Sequence, residues 1–367
     1  MIIIKMDISL TRAIILKLGY LTYLIITVAI LLEIIFRLLP TTSPIDLQPI
    51  LDKEDILRFK PNQKTTLSLG KNFYKVVEKS TNNYGFYSSY DYIINSKPNI
   101  AIIGDSMVEA TQVRSEDTFG EMIQSENPDL KVYQFGVSGV PLSQYIKMIK
   151  YVEKEFSPEY FAIAVVGNDF DESLCNYRIK EGTWCFDDKF ELKFNPFFGY
   201  QGIRGLARES AVMRYLVFHA NLNWRKLLSD LNLNDPGLKT KPQYIDKKDK
   251  LTSNEINIAS RGAIKAFFQE IDKMDLAAKV IIILDADRNN IYERWGVTES
   301  YFNEMRTFMK ESAITHGINY IDMDPVFRED FVVFKKSFQF PTDGHWNEHA
   351  HRLAARELFK KYSLITK

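Results

Sequence analysis

The chain has 367 residues, with 47 Lys+Arg balanced by 47 Asp+Glu, and is 46% hydrophobic and 13% aromatic. That length supplies core for one large domain or two smaller ones. A net charge of zero with no basic stripe excludes nucleic acid as a partner.

Residues 18–39 are apolar apart from Glu33 and Arg37, and Lys5, Arg12 and Lys17 precede them against a single Asp7. A stretch of this length matches a ~30 Å hydrocarbon layer. The charge bias keeps residues 1–17 in the cytoplasm and sends the remainder across. The expectation is an uncleaved single-pass anchor with its catalytic domain periplasmic or on the cell surface. A cleaved signal peptide competes, but the run is long for its apolar region and no small-x-small site follows. A buried soluble helix is the remaining alternative. Glu33 is expected at the membrane interface or paired with Arg37, without a function.

Residues 40–95 carry Pro40, Pro44, Pro49 and Pro61 and no clear period, and read as a tether with an accessory lead-in. Thr81-Asn-Asn-Tyr-Gly-Phe86 reads as a turn packing at a domain edge. From residue 96 the chain alternates. Asn99-Ile-Ala-Ile-Ile-Gly-Asp-Ser106 is a buried strand running into a tight turn. A helix follows over 118–125 and a strand over 131–135. Pro141 then opens a helix to Glu155 with Tyr145, Met148, Ile149 and Val152 on one face. Further strands are expected at 160–166, 280–284 and 318–321, and helices at 299–312 and 346–362. Thr252-Ser-Asn-Glu255 is a capping box opening a helix with Ile256, Ala259, Ala263, Phe267 and Ile271 inward. Strands alternating with helices predict an α/β fold with a doubly wound parallel sheet over 96–367.

The insertion at 170–252 interrupts this pattern with Cys175, Cys185, Trp184, the aromatic knot Asn195-Pro-Phe-Phe-Gly-Tyr200, a helix from about Leu206 to Leu228 and a charged loop over 239–250. It follows directly on Gly167-Asn-Asp169, so it is expected to fold over the sheet's carboxyl edge as a cap, with a peripheral appendage as the alternative. Cys175 and Cys185, ten residues apart, form either a disulfide in an oxidising compartment or two free thiols.

Ligands bind at the carboxyl ends of strands in open α/β sheets, so Ser106 on its glycine turn is a candidate nucleophile. Ser106-Met-Val-Glu109 also fits a capping box, in which Ser106 merely starts a helix. Three more blocks bear on the choice: Phe135-Gly-Val-Ser-Gly139, Val165-Val-Gly-Asn-Asp169 and Thr342-Asp-Gly-His-Trp-Asn347. Together with Gly104-Asp105-Ser106, in this order over residues 99–360, they resemble the SGNH hydrolase superfamily of GDSL-type esterases.

That resemblance implies a flavodoxin-like three-layer fold and maps the family's four name-giving residues onto Ser106, Gly139, Asn168 and His345. The commonest family pattern places Asp three residues before the His. Here Thr342 holds that position and Asp343 is two before. The Asp-x-His-Trp form resembles the branch of alginate-type polysaccharide O-acetyltransferases. The roles implied are Ser106 as nucleophile, His345 as general base and acid, and Asp343 as the orienting acid. The oxyanion donors implied are the backbone N–H groups of Ser106 and Gly139 and the side-chain amide of Asn168.

Gly139 as a plain turn glycine and Asn168 with Asp169 as a helix cap are the structural alternatives. His345, His349 and His351 form a His-x3-His-x-His cluster that a metal-dependent hydrolase could use. His219 and His316 read as structural, and Asp169, Asp285, Asp287 and Arg288 fall at strand ends, where Asp287 and Arg288 could touch substrate. No cofactor is implied. The leading expectation is a membrane-anchored extracytoplasmic serine esterase or O-acyltransferase acting on acyl, chiefly acetyl, esters of an envelope glycan. The alternatives are a lipid or small-ester hydrolase and a catalytically silent binding module in an envelope complex.

Overall fold

The computed structural model describes residues 8–178, 180–199, 205, 208–220, 222, 253–292 and 300–367. The expected loop at 239–250, Thr252 of the capping box and both ends of the helix expected over 206–228 lie outside them. The chain divides into two compact units. One comprises Met1–Pro44, Thr66–Val76 and Tyr200–Leu227; the other comprises Ile45–Thr65, Val77–Gly199 and Leu228–Lys367. The insertion is therefore shared between the units, with 170–199 in the larger.

In the smaller unit, α1 (Ile8–Arg37) contains a 24-residue apolar stretch, Ile14–Arg37, none of it buried. At ~1.5 Å per residue this exceeds a ~30 Å hydrocarbon layer. Among the described residues it is the one helix long and apolar enough to cross a membrane, a description that an anchor and a signal sequence both meet. Glu33 does pair with Arg37 (2.8 Å), and it also accepts the backbone N–H groups of Ala211 (2.9 Å) and Val212 (3.3 Å) and the Ser210 hydroxyl (2.8 Å). His219 is buried and structural, held between Gly70 O (3.0 Å) and Ser68 Oγ (3.3 Å).

In the larger unit the alternating region forms one parallel sheet. Earlier in the chain β1 (Lys64–Leu69) and β2 (Lys75–Ser80), which the lead-in's irregular pattern did not announce, form a separate two-stranded sheet whose residues Thr66–Leu69 and Lys75–Val76 are assigned to the smaller unit. Then follow β3 (Ile100–Gly104), α2 (Ser106–Glu109), α3 (Phe119–Glu126), β4 (Val132–Gly136), α4 (Leu142–Phe156) and β5 (Tyr160–Val165). A disulfide joins Cys175 to Cys185, and β6 (Trp184–Phe186) pairs with β7 (Leu192–Phe194). In the smaller unit, Ser210 caps the short α5 (Ala211–Arg214), which runs into a π-turn over Tyr215–His219. Then come α6 (Ser253–Lys273), β8 (Val280–Leu284), α7 (Arg288–Ile291), α8 (Tyr301–Thr315), β9 (Asn319–Asp322) and α9 (Met323–Phe334). A hairpin of β10 (Gln339–Phe340) and β11 (Asp343–Trp346) leads into α10 (Glu348–Ile365).

The order across the sheet is β4-β3-β5-β8-β9, all parallel. This is the doubly wound flavodoxin-like order, whose direction reverses between the first strand and the third, here β3 and β5. Each central strand is buried on both faces. Ala101 and Ile103 of β3 join a core with Tyr145, Phe267 and Met309 of the helices on one side. Ile100 and Ile102 join Phe119, Phe327 and Leu358 on the other. Three layers result.

Two expectations are corrected. Trp346 does not begin the last helix; it ends β11, and Asn347 caps α10 by accepting the N–H groups of His349 and Ala350, both at 3.1 Å. Ser106 is not an N-cap either. Asp105 caps α2 through its carboxylate on Met107 N (3.0 Å), leaving Ser106 as the first helical residue.

Gly136 lets α2 lie on β4. A Cβ there would stand 2.1 Å from Glu109 N and 2.4 Å from Val108 C, both main-chain atoms that cannot swing aside. Gly136→Ala is expected to destabilise the larger unit by about 1–3 kcal/mol, as overpacking does, measured as a fall in the urea midpoint at constant m-value.

Candidate active site

Three of the four blocks leave adjacent strands at the carboxyl edge: Ser106 after β3, Gly139 after β4 and Asn168 after β5. Ser106 and Asn168 thus flank the crevice where the winding reverses. The fourth block arrives from the far end of the chain. β11 packs against α2, with Trp346 N reaching Met107 Sδ at 3.4 Å.

The displaced acid reaches its histidine. Asp343 Oδ1 accepts from both His345 Nδ1 and the backbone N–H of His345 (2.8 Å), so the two-residue spacing folds as a closed turn around the carboxylate. The side-chain amide nitrogen of Gln112 lies 3.0 Å from the same Nδ1. Burial would lower the His345 pKa, but the hydrogen bond and charge of Asp343, with the charges of Asp105 and Glu109, outweigh it and hold it above the ordinary histidine value. Burial would raise Asp343, and the His345 contacts with help from Gln112 carry it below the usual carboxylate range. Ser106 Oγ donates to Asp105 Oδ2 at 3.2 Å.

Behind the serine, charge is spent on the backbone. Asp105 is buried, and loss of solvent pushes its carboxyl up. Asp169 is fully buried; desolvation and then the charge of Asp105 raise it well above the usual range. It accepts Val166 N (2.8 Å) and the Tyr145 hydroxyl (3.0 Å), which fixes the turn that leaves Asn168 exposed. Glu109, read from sequence as a capping-box partner, turns away from its own helix and accepts the N–H of Ser138. Gly139 adopts φ +68°, in the left-handed region that favours glycine.

Asp285 and Arg288 work on the histidine's strand. Asp285 accepts Trp346 Nε1 (2.9 Å) and Arg288 Nη2 (3.0 Å), while Arg288 Nη1 donates to Gly344 O (2.5 Å). Asp287 caps α7 and accepts the Ser300 hydroxyl (2.5 Å). A cleft of about 420 Å³ opens beside these groups, lined by Met107, Asn168, Asp287, Arg288, Phe302 and Gly344 among others. Sequence reasoning missed the parts played by Gln112, Glu109 and Arg288, whose partners lie far away in the chain; for Glu109 the capping-box spacing from Ser106 pointed to a local partner instead.

The histidines of the C-terminal cluster take separate partners. His345 faces Asp343, His349 Nε2 meets Asp330 at 2.6 Å, and His351 is buried between the rings of Phe119 and Trp346. His316 pairs with Asp272 at 2.7 Å. Among the described residues no group of three or more His, Cys, Asp or Glu side chains converges as metal ligands would.

No family model and no curated protein matches the chain. Among solved structures it is similar to a lipolytic protein of the G-D-S-L family from Veillonella parvula, at 15% identity and TM-score 0.37 over 72% of this chain and 97% of that one. It is similar also to a G-D-S-L lipolytic protein from Desulfitobacterium hafniense (11%, TM-score 0.36, 70% and 97%). A third similar structure is an acetyl xylan esterase from Geobacillus stearothermophilus (13%, TM-score 0.34, 73% and 96%). Likeness at this level carries no argument about chemistry, which must come from the residues.

Three outcomes are expected from this geometry. A base must be neutral to act, so the acidic limb of the kcat/KM profile should lie above the ordinary histidine pKa of ~6.5. Asp343→Asn should lower kcat by on the order of 10⁴ and shift that limb to lower pH. Arg288→Met, which frees the Gly344 carbonyl, should lower kcat by about 10–10² through misplacement of His345, with the fold retained by circular dichroism.

Proposed function

We propose that this protein is a serine esterase or O-acyltransferase that works through a Ser106 acyl-enzyme. The observation that carries the reading is the meeting of an Asp343–His345 pair with the short helix that opens on Ser106, at the reversal point of the sheet. In this reading Ser106 Oγ leaves Asp105 for His345 Nε2 and attacks the ester carbonyl as Nε2 takes its proton. The N–H groups of Ser106 and Gly139 and the Asn168 amide receive the oxyanion. Collapse expels the alcohol, which recovers the proton from His345, and Asp343 holds the imidazolium throughout. Water or a sugar hydroxyl then attacks the acyl-enzyme, its proton passing to His345 and on to Ser106.

The cleft beside Asn168, with Asp287, Arg288, Asn289, Ser300 and Gln339 on its walls, supports a hydroxyl-rich substrate over a long acyl chain. An acetyl ester of an envelope glycan is the substrate class we infer. The apolar α1, the basic residues before it and the Cys175–Cys185 bridge support a single-pass anchor with its N-terminus in the cytoplasm and the larger unit in an oxidising, extracytoplasmic space.

The test is p-nitrophenyl acetate turnover by the full chain in detergent micelles. Ser106→Ala should reduce it by about 10⁴-fold or more. Equal turnover by wild type and variant would sink the acyl-enzyme and favour a silent binding module. Acetylated sugar appearing when candidate acceptors are added would identify transfer over hydrolysis.

A further inference from the structure

Lys180 belongs to none of the blocks that carry the resemblance. It lies in the loop that the Cys175–Cys185 bridge closes, and that loop is pinned to α4: Ser143 Oγ donates to Trp184 O (2.7 Å) and Trp184 N to Gln144 Oε1 (3.0 Å). From there its ammonium reaches across to the oxyanion loop and donates to Ser138 O at 2.5 Å. It stands 3.1 Å from where a Cβ on Gly139 would sit.

The carbonyl it holds belongs to the peptide that bears the Gly139 N–H. Among the described residues no peptide bond is cis, so this C=O and N–H point in opposite directions on one rigid plane. Fixing the oxygen fixes the aim of the hydrogen. The preceding peptide is fixed as well, because the Ser138 N–H donates to the buried carboxyl of Glu109. Residue 138 is thus clamped at both ends by charged side chains from separate segments, and a cation on the carbonyl oxygen also polarises the amide toward stronger donation.

We propose that Lys180 is a positioning residue that sets the oxyanion hole by holding the Ser138–Gly139 peptide with its N–H aimed at the developing negative charge. The proposal rests on the reading of Gly139 as an oxyanion donor. The loop between the two cysteines is then part of the catalytic apparatus, and the lysine's protonation belongs to the pH dependence. Desolvation holds Lys180 down to about 8, against the opposing charges of Glu109, Glu172 and Asp105 and with the repulsion of Arg178. The buried Lys79, whose ammonium donates to Ala110 O (2.8 Å), is held near the same value by desolvation. The two must be told apart.

The experiment compares full-chain wild type, Lys180→Met, Lys180→Arg and Ser106→Ala in detergent micelles, with p-nitrophenyl acetate from pH 5 to 10. Lys180→Met should lower kcat by about 10–10²-fold, less than the loss of a whole oxyanion donor, with KM little changed. Lys180→Arg should restore most of kcat and abolish the alkaline limb expected of wild type near pH 8, because a guanidinium stays charged. A limb that persists near pH 8 in Lys180→Arg belongs to Lys79 or elsewhere and overturns the proposal. So does Lys180→Met with wild-type kcat while Ser106→Ala is inactive. Wild-type turnover by Ser106→Ala would remove the acyl-enzyme reading itself. If Lys180→Met fails to fold by thermal unfolding, the arginine variant alone decides.

Discussion

The rest of the structure depends on burying β3 on both faces. Ile100 and Ile102 face one core, Ala101 and Ile103 the other, and hydrogen-bonded neighbours take both edges. A strand enclosed in this way has no exposed flank for a functional group; its chemistry can appear only where the chain leaves the sheet. Gly104 makes that exit, and Asp105 accepts the free N–H of Met107 so that a helix starts at once. Gly136 on the neighbouring strand removes the one side chain that would keep α2 from settling against β4. Ser106 is thereby held at the rim as the first residue of α2, half-buried.

Around that rim the molecule buries four carboxyl groups. Asp105, Asp169, Glu109 and Asp285 are all buried, where an unsatisfied carboxylate would cost several kcal/mol. Each is satisfied by a group whose position matters to the site: Met107 N, Val166 N, Ser138 N and the Trp346 indole. These hydrogen bonds offset the cost of burial and fix three stretches of backbone and the Trp346 ring. Arg288 extends the same logic to the Gly344 carbonyl, and Lys180 to that of Ser138. Under the proposed acyl-enzyme reading, a site assembled from loops gains by these contacts the rigidity that oxyanion stabilisation requires, since donors that reorganise during a reaction contribute less.

The smaller unit solves a different problem with similar means. A carboxylate near the end of an apolar helix needs partners, and Glu33 finds them in Arg37 and in the free N–H groups that begin α5. Part of the insertion after Asp169 is thereby tied to the N-terminal helix, while its earlier part, closed by the disulfide, serves the larger unit.

Apolar runs and glycine turns determined the α/β class, the sheet's strands to within a residue or two and the blocks that place Ser106, Gly139 and Asn168 at its carboxyl edge. These signals are local: a strand buried on both faces must be continuously apolar, and a tight exit must have glycine. The pairing of Asp343 with His345 lay half within reach, two residues apart but dependent on a turn whose closure no linear pattern dictates. Contacts made across the fold were not legible. Glu109 to Ser138, Lys180 to Ser138, Arg288 to Gly344 and Glu33 to Ala211 join residues from 29 to 178 positions apart. Their side chains carry no periodicity, because each is a single long polar group answering one backbone atom, and only the packed chain decides which atom lies within reach.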